Sequence, residues 1–138
     1  MAFTGPFEDR LAIHELILSY ADAINTRDGE AWISCWAEDA EWNLPMIPGM
    51  ETTKGREAIL ATWMDAMARY PGQMVAHTAL GMLEITGDTA IGRAYPREFI
   101  INSDGTTSTD HGRYDDEYVK QDGVWLFKSR THTLLHSG

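Results

Sequence analysis

The spacing of apolar positions along the chain changes from a helical to a strand-like period near residue 74. From Glu8 onward, Leu11, Ile13, Leu16, Ile17, Tyr20, Ala21 and Ile24 recur at helical spacing, which predicts a helix over 8–26. Glu8 and Asp9 suit the positive end of its dipole, and Asp28-Gly29 breaks it. A short helix is expected over 30–37, burying Trp32, Cys35 or Trp36, followed by a strand over 40–44 that Pro45 ends. A third helix is expected over 56–70, with Ile59, Trp63, Met67 and Tyr70 on one stripe and Pro71-Gly72 closing it. Beyond it come four strands, 74–86, 89–101, 109–120 and 124 to about 135, with turns at Gly87-Asp88, Asn102–Gly105 and Asp122-Gly123. The last turn is the firmest local signal. It lies between two runs rich in aromatic and β-branched residues, the mark of a β-hairpin.

Helices followed by successive strands with tight turns imply an α+β fold with an antiparallel meander. A strongly bent sheet wrapped around the long first helix makes a half-closed cone whose mouth is the natural pocket. Residues 45–53, with Pro48-Gly49, Met46 and Met50, read as a mobile loop over something apolar, and 1–7 as a loose lead-in. Neither a repeat nor an interdomain linker appears, so residues 1–138 form one expected domain.

Composition narrows the partners. The 138 residues carry 21 acidic and 11 basic side chains, a net charge of −10, which argues against nucleic acid. Cys35 stands alone, so no intramolecular disulfide forms, in keeping with a reducing cytoplasm. No leader is seen, and no apolar run approaches the roughly 20 residues of a membrane helix, so a soluble protein is expected. Five Trp, five Tyr, four Phe and seven Met suit a core or a pocket for a small apolar molecule. His14, His132 and His136 lack metal-ligand spacing, and no glycine-rich phosphate loop or dinucleotide fingerprint occurs; neither metal nor cofactor is expected.

Four segments in order carry a resemblance: Ile13…Tyr20-Ala-Asp-Ala-Ile-Asn25, Trp36-Ala-Glu-Asp-Ala-Glu-Trp42, Lys54-Gly-Arg-Glu-Ala-Ile59 and Tyr114…Tyr118…Asp122-Gly-Val-Trp125. They resemble the nuclear transport factor 2-like (SnoaL-like) family, cone-shaped α+β domains. They look most like the branch of hexachlorocyclohexane dehydrochlorinase and scytalone dehydratase. The resemblance implies a cofactor-independent lyase or isomerase acting on a small apolar cyclic or polyketide-like substrate. It also implies a homo-oligomer, a dimer or trimer through the outer face of the sheet. The same fold equally hosts binding or assembly modules such as dioxygenase β-subunits.

That branch uses a strand histidine paired with an aspartate near the end of the first helix. The matching positions here are His77, in an apolar stretch, and Asn25. His77 reads as a general base or as a satisfied core histidine. Asn25 can orient an imidazole but cannot stabilise its charged form. Asp110 is the better substitute carboxylate, since alternation places it on one face with Gly112, Tyr114 and Tyr118; Asp22 reads as solvated. Arg130 matches a pocket arginine of the dehydrochlorinase, which helps an anion depart. A two-residue loop at Asp122-Gly123 would set Arg130 opposite Asp115 and away from the pocket; a three-residue loop would set it opposite Tyr114 and inward. Tyr20, as oxyanion donor or packing residue, and Trp42 are expected to line the cavity, and His111 to lie outside.

Overall fold

The computed structural model describes residues 1–70 and 72–138; the expected stop at Pro71 falls outside the described residues. Helix α1 spans Phe7–Thr26 and buries Ile13, Ile17, Tyr20, Ala21, Ala23 and Ile24; of the expected stripe, Leu16 is only partly buried and Leu11, near the start of the helix, is exposed. Arg27, in the left-handed region at φ 53°, ends it by turning its amide back to the carbonyls of Ala23 and Ile24. The Asp28 carboxylate then accepts the Ala31 amide at 3.0 Å and starts α2, Gly29–Ser34. This helix ends earlier than expected because Trp36 already enters strand β2, Trp36–Asn43. Helix α3, Arg56–Ala68, buries Ile59 and Trp63.

Two short strands are unmarked in the sequence. Residues Phe3–Thr4 form β1, which pairs in parallel with Leu83–Glu84, so the N-terminus is tied to the sheet rather than loose. Gly5 is required for that entry: its φ is 110°, and a Cβ there would lie 2.7 Å from Cβ of Ile85. Strand β3, Thr53–Lys54, pairs with β2. The meander follows as β4 (Gln73–Thr86), β5 (Thr89–Ile101), β6 (Thr107–Gln121) and β7 (Val124–Ser137). The single sheet runs β1-β4-β5-β6-β7-β2-β3, and its inner face meets the helices. Trp32 lies at the centre of that core, stacked on Trp63 at 4.8 Å and tilted against Tyr20 and Trp36.

The β6–β7 hairpin closes with Asp122 and Gly123 both at positive φ, 51° and 78°, a two-residue turn pairing Gln121 with Val124. Loop length nevertheless does not decide where Arg130 points. Glu117 pairs with Ser129 and Tyr118 with Phe127, so Lys128 is an extra residue in a β-bulge. Beyond the bulge Arg130 stands opposite Asp116 and His132 opposite Tyr114, and both partners are inward residues. Neither turn alternative predicts this register.

Candidate functional site

A cavity of about 520 Å³ opens where α1, α3 and the 44–52 loop meet the inner face of the sheet. Its floor is Tyr20, Trp42 and Tyr114, all buried. Its mouth is apolar, built by Met46, Ile47, Met50, Met67, Tyr70 and Leu134. One wall is polar: Glu98 on β5, Asp110 on β6 and His132 on β7. A volume of this size and character suits a small, mostly apolar molecule with one polar end.

The wall follows from register. Ala76, Glu98, Asp110 and Ser137 stand opposite one another across four strands. Asp110 accepts a hydrogen bond from the Ser137 hydroxyl at 2.6 Å. His132 rests edge-on to Tyr114, with ring centroids 4.9 Å apart, over Gly112. A Cβ on Gly112 would lie 2.3 Å from His132 Nε2, so glycine makes room for the imidazole.

Burial, and then the neighbouring Asp110 charge, push the Glu98 carboxyl up to about 7. Burial, and then the Arg130 charge, lower His132, leaving a neutral imidazole at pH 7. Burial also raises Tyr70, with Glu98 and Asp110 adding to the effect. The Trp42 indole donates to the Tyr114 hydroxyl at 3.1 Å, so that hydroxyl keeps its own proton to offer a ligand.

Beneath the floor lies an ion pair. Arg130 donates to Asp116 through Nε at 2.8 Å and Nη2 at 3.1 Å, and the Tyr118 hydroxyl donates to the same carboxylate at 2.9 Å. The guanidinium packs over the rings of Tyr114, Phe127 and Tyr20 at 3.8, 4.2 and 4.5 Å. Burial opposes its charge, but Asp116 holds Arg130 above its usual range; burial raises Asp116 against the pull of Arg130. Arg130 is therefore inside but outside the cavity lining, fully engaged by Asp116.

His77 requires a correction. It is exposed on the outer face, opposite Arg97, because the inward positions of this part of β4 are Met74 and Ala76. Asn25 correspondingly orients no imidazole. Its amide donates to the Ala76 carbonyl at 3.0 Å and accepts the Ala76 amide at 2.6 Å, capping the open edge of β4. The strand residue facing Asn25 is thus an alanine. Asn25→Asp loses the donor half of this clamp and lowers stability by roughly 1 kcal/mol, read from urea unfolding. Asp110, Tyr20, Trp42 and Tyr114 do line the cavity, whereas Asp22 and His111 are exposed. Among the described residues no group of three or more His, Cys, Asp or Glu is placed to hold a metal ion. No helix among them is long and apolar enough to cross a membrane.

The family model of the SnoaL-like domain matches residues 6–131. The chain belongs to the SnoaL-like family. None of the curated proteins matches this SnoaL-like chain in sequence. Among solved structures, a protein of unknown function from Mycobacterium tuberculosis is 30% identical, with a TM-score of 0.80 over 94% of this chain and 77% of that one. A type 2 hexachlorocyclohexane dehydrochlorinase is 22% identical, with a TM-score of 0.83 over 95% of this chain and 88% of its own. A candidate scytalone dehydratase of Novosphingobium aromaticivorans is 20% identical, with a TM-score of 0.84 over 94% and 86% of the two chains. The last two likenesses establish the fold, which is the cone expected from the ordered motifs.

Proposed function

We propose that the cavity is the active site of a cofactor-independent lyase or isomerase that moves a proton on a small, largely apolar cyclic substrate. The observation carrying this reading is Glu98, a carboxyl held near pH 7 inside an aromatic cavity, where a general base works best. Ionised Glu98 takes a proton from carbon beside an activating group. The electron pair then passes to a neighbouring carbonyl oxygen, or expels a halide or hydroxide from the next carbon. Tyr114, whose oxygen is already occupied by Trp42, donates to the oxygen that gains charge. Asp110 sets the basicity of Glu98, and neutral His132 accepts a hydrogen bond from the substrate's polar end. The test is deuterium uptake from D2O into small cyclic ketones, together with halide or water loss from substituted cyclohexanes, each followed by NMR. Catalysed exchange or elimination is expected; none across the panel contradicts the reading.

A second reading, a non-catalytic binding module, draws on Ala76, which leaves no counterpart to the histidine–aspartate pair of the branch this chain resembles. Ligand binding without any exchange would favour it.

Glu98 also makes stability depend on pH. Its folded pKa lies above its unfolded one, so the folded chain holds this proton more tightly, and the resulting stability is complete below pH 4.5. It is lost as pH rises through about 7. The expected loss is about 3 kcal/mol, and Glu98→Gln removes it. His132 works the other way, its contribution being lost as pH falls below 6.5. Urea unfolding of wild type and variant over pH 4–8 isolates the Glu98 part as their difference.

A further inference from the structure

The charges lining the cavity do not cancel. Glu98 and Asp110 are direct cross-strand neighbours on the inner face, which sets their Cβ atoms about 5 Å apart. Nothing among the described residues donates a hydrogen bond to the Glu98 carboxyl, which is half-buried and opens into the cavity. Among the same residues, Asp110 receives only the Ser137 hydroxyl.

The nearby cations are occupied or absent. Arg130 is engaged by Asp116 below the floor, and Arg69 at the mouth pairs with Asp65 at 2.6 Å. His132 is neutral at pH 7. The other titratable groups facing the cavity are the hydroxyls of Tyr20 on α1, Tyr70 after α3 and Tyr114 on β6; β4 contributes only Met74. The rest of the lining includes the aromatic side chains of Tyr20, Trp42, Trp63, Tyr70 and Tyr114 and the thioethers of Met46, Met50 and Met67. A half-buried carboxylate without a counter-ion is costly, and aromatic faces attract cations. Together they form the protein half of an ammonium site.

We propose that the substrate carries a positive charge, a protonated amine or quaternary ammonium group, seated against Glu98 and Asp110 within the aromatic-lined cavity. This deepens the active-site reading of the cavity and rests on it. The ligand's charge replaces the missing counter-ion and favours ionised Glu98, so binding below neutral pH expels a proton and readies the base.

The test uses two probes of one shape, (4-hydroxyphenyl)trimethylammonium and its uncharged isostere 4-tert-butylphenol, titrated into the whole chain by calorimetry. At pH 8 the cation is expected to bind at least tenfold more tightly than the isostere. At pH 5, where Glu98 holds its proton, the preference shrinks. In the Glu98→Gln/Asp110→Asn double variant the preference disappears while 4-tert-butylphenol still binds, which shows that the cavity is intact. Should that variant not fold, the single Asp110→Asn variant must reduce the preference. Equal or tighter binding of the isostere by wild type overturns the proposal, as does binding of neither probe. A preference unchanged in the variants also overturns it, marking general attraction to an acidic surface. Failure of the proton-transfer reading is separate: it appears as absence of exchange while the ammonium preference stands.

Discussion

Replacing Asp116 by Ala is expected to destabilise the fold by about 3–5 kcal/mol, a large share of the roughly 5–15 kcal/mol that holds a domain together. The side chain of Arg130 is 2% exposed and that of Asp116 fully buried, so the variant strands a charged guanidinium among three aromatic rings. Among the described residues no other carboxylate contacts Arg130. The cost therefore comes from an unpaired buried charge rather than from the worth of the pair itself. The double replacement Asp116→Leu/Arg130→Met tests that distinction. It removes both charges, and it should cost much less than the single change despite altering more atoms. Urea unfolding followed by tryptophan fluorescence reads both variants, since five tryptophans report on this core. A single-variant loss below about 1 kcal/mol would mean that Arg130 reaches water, contrary to the ion pair described.

The second large effect concerns turnover. Glu98→Gln keeps the size of the side chain and removes its ability to take a proton, so exchange or elimination should fall about 10²- to 10⁴-fold. The wild-type rate should rise with pH as Glu98 ionises and level off above about 7. Asp110→Asn removes the nearby negative charge and should move that midpoint downward while leaving a measurable rate. A merely structural Glu98 would lower activity without shifting the profile in the Asp110 variant. Tyr114→Phe should lower the limiting rate and leave the midpoint in place, since it removes a donor to the developing charge rather than a charge beside Glu98.

The fold was largely legible because periodicity is a direct readout of which faces are buried. The α1 stripe ends where Arg27 turns left-handed, one residue before Asp28-Gly29, and each strand of the meander is bounded by turn residues. The site was less legible for two reasons. His77 follows an apolar run, but pairing across β4 and β5 turns Met74 and Ala76 inward and His77 outward. A one-residue difference in parity changes every side chain's face. The second reason is the bulge at Lys128, which no residue type announces. It turns Arg130 and His132 inward, although the turn itself is the two-residue form that would have turned both outward. Glu98 left a clearer trace. Alternation along β5 runs Ala90, Gly92, Ala94, Pro96, Glu98 and Ile100, with one carboxylate among small and apolar residues. That pattern marks an inward-facing acid in need of a reason, and the cavity supplies one.

The state of the Glu98 carboxyl underlies the proposed base, the expected pH-dependence of stability and the proposed preference for a cationic ligand. It can be followed directly by the ¹³C shift of Cδ of Glu98 across pH 3–9, assigned by comparison with Glu98→Gln. A midpoint near 7 is expected, falling on Asp110→Asn and again on adding (4-hydroxyphenyl)trimethylammonium. A midpoint near 4.5, the ordinary value for glutamate, unmoved by either change, would contradict it.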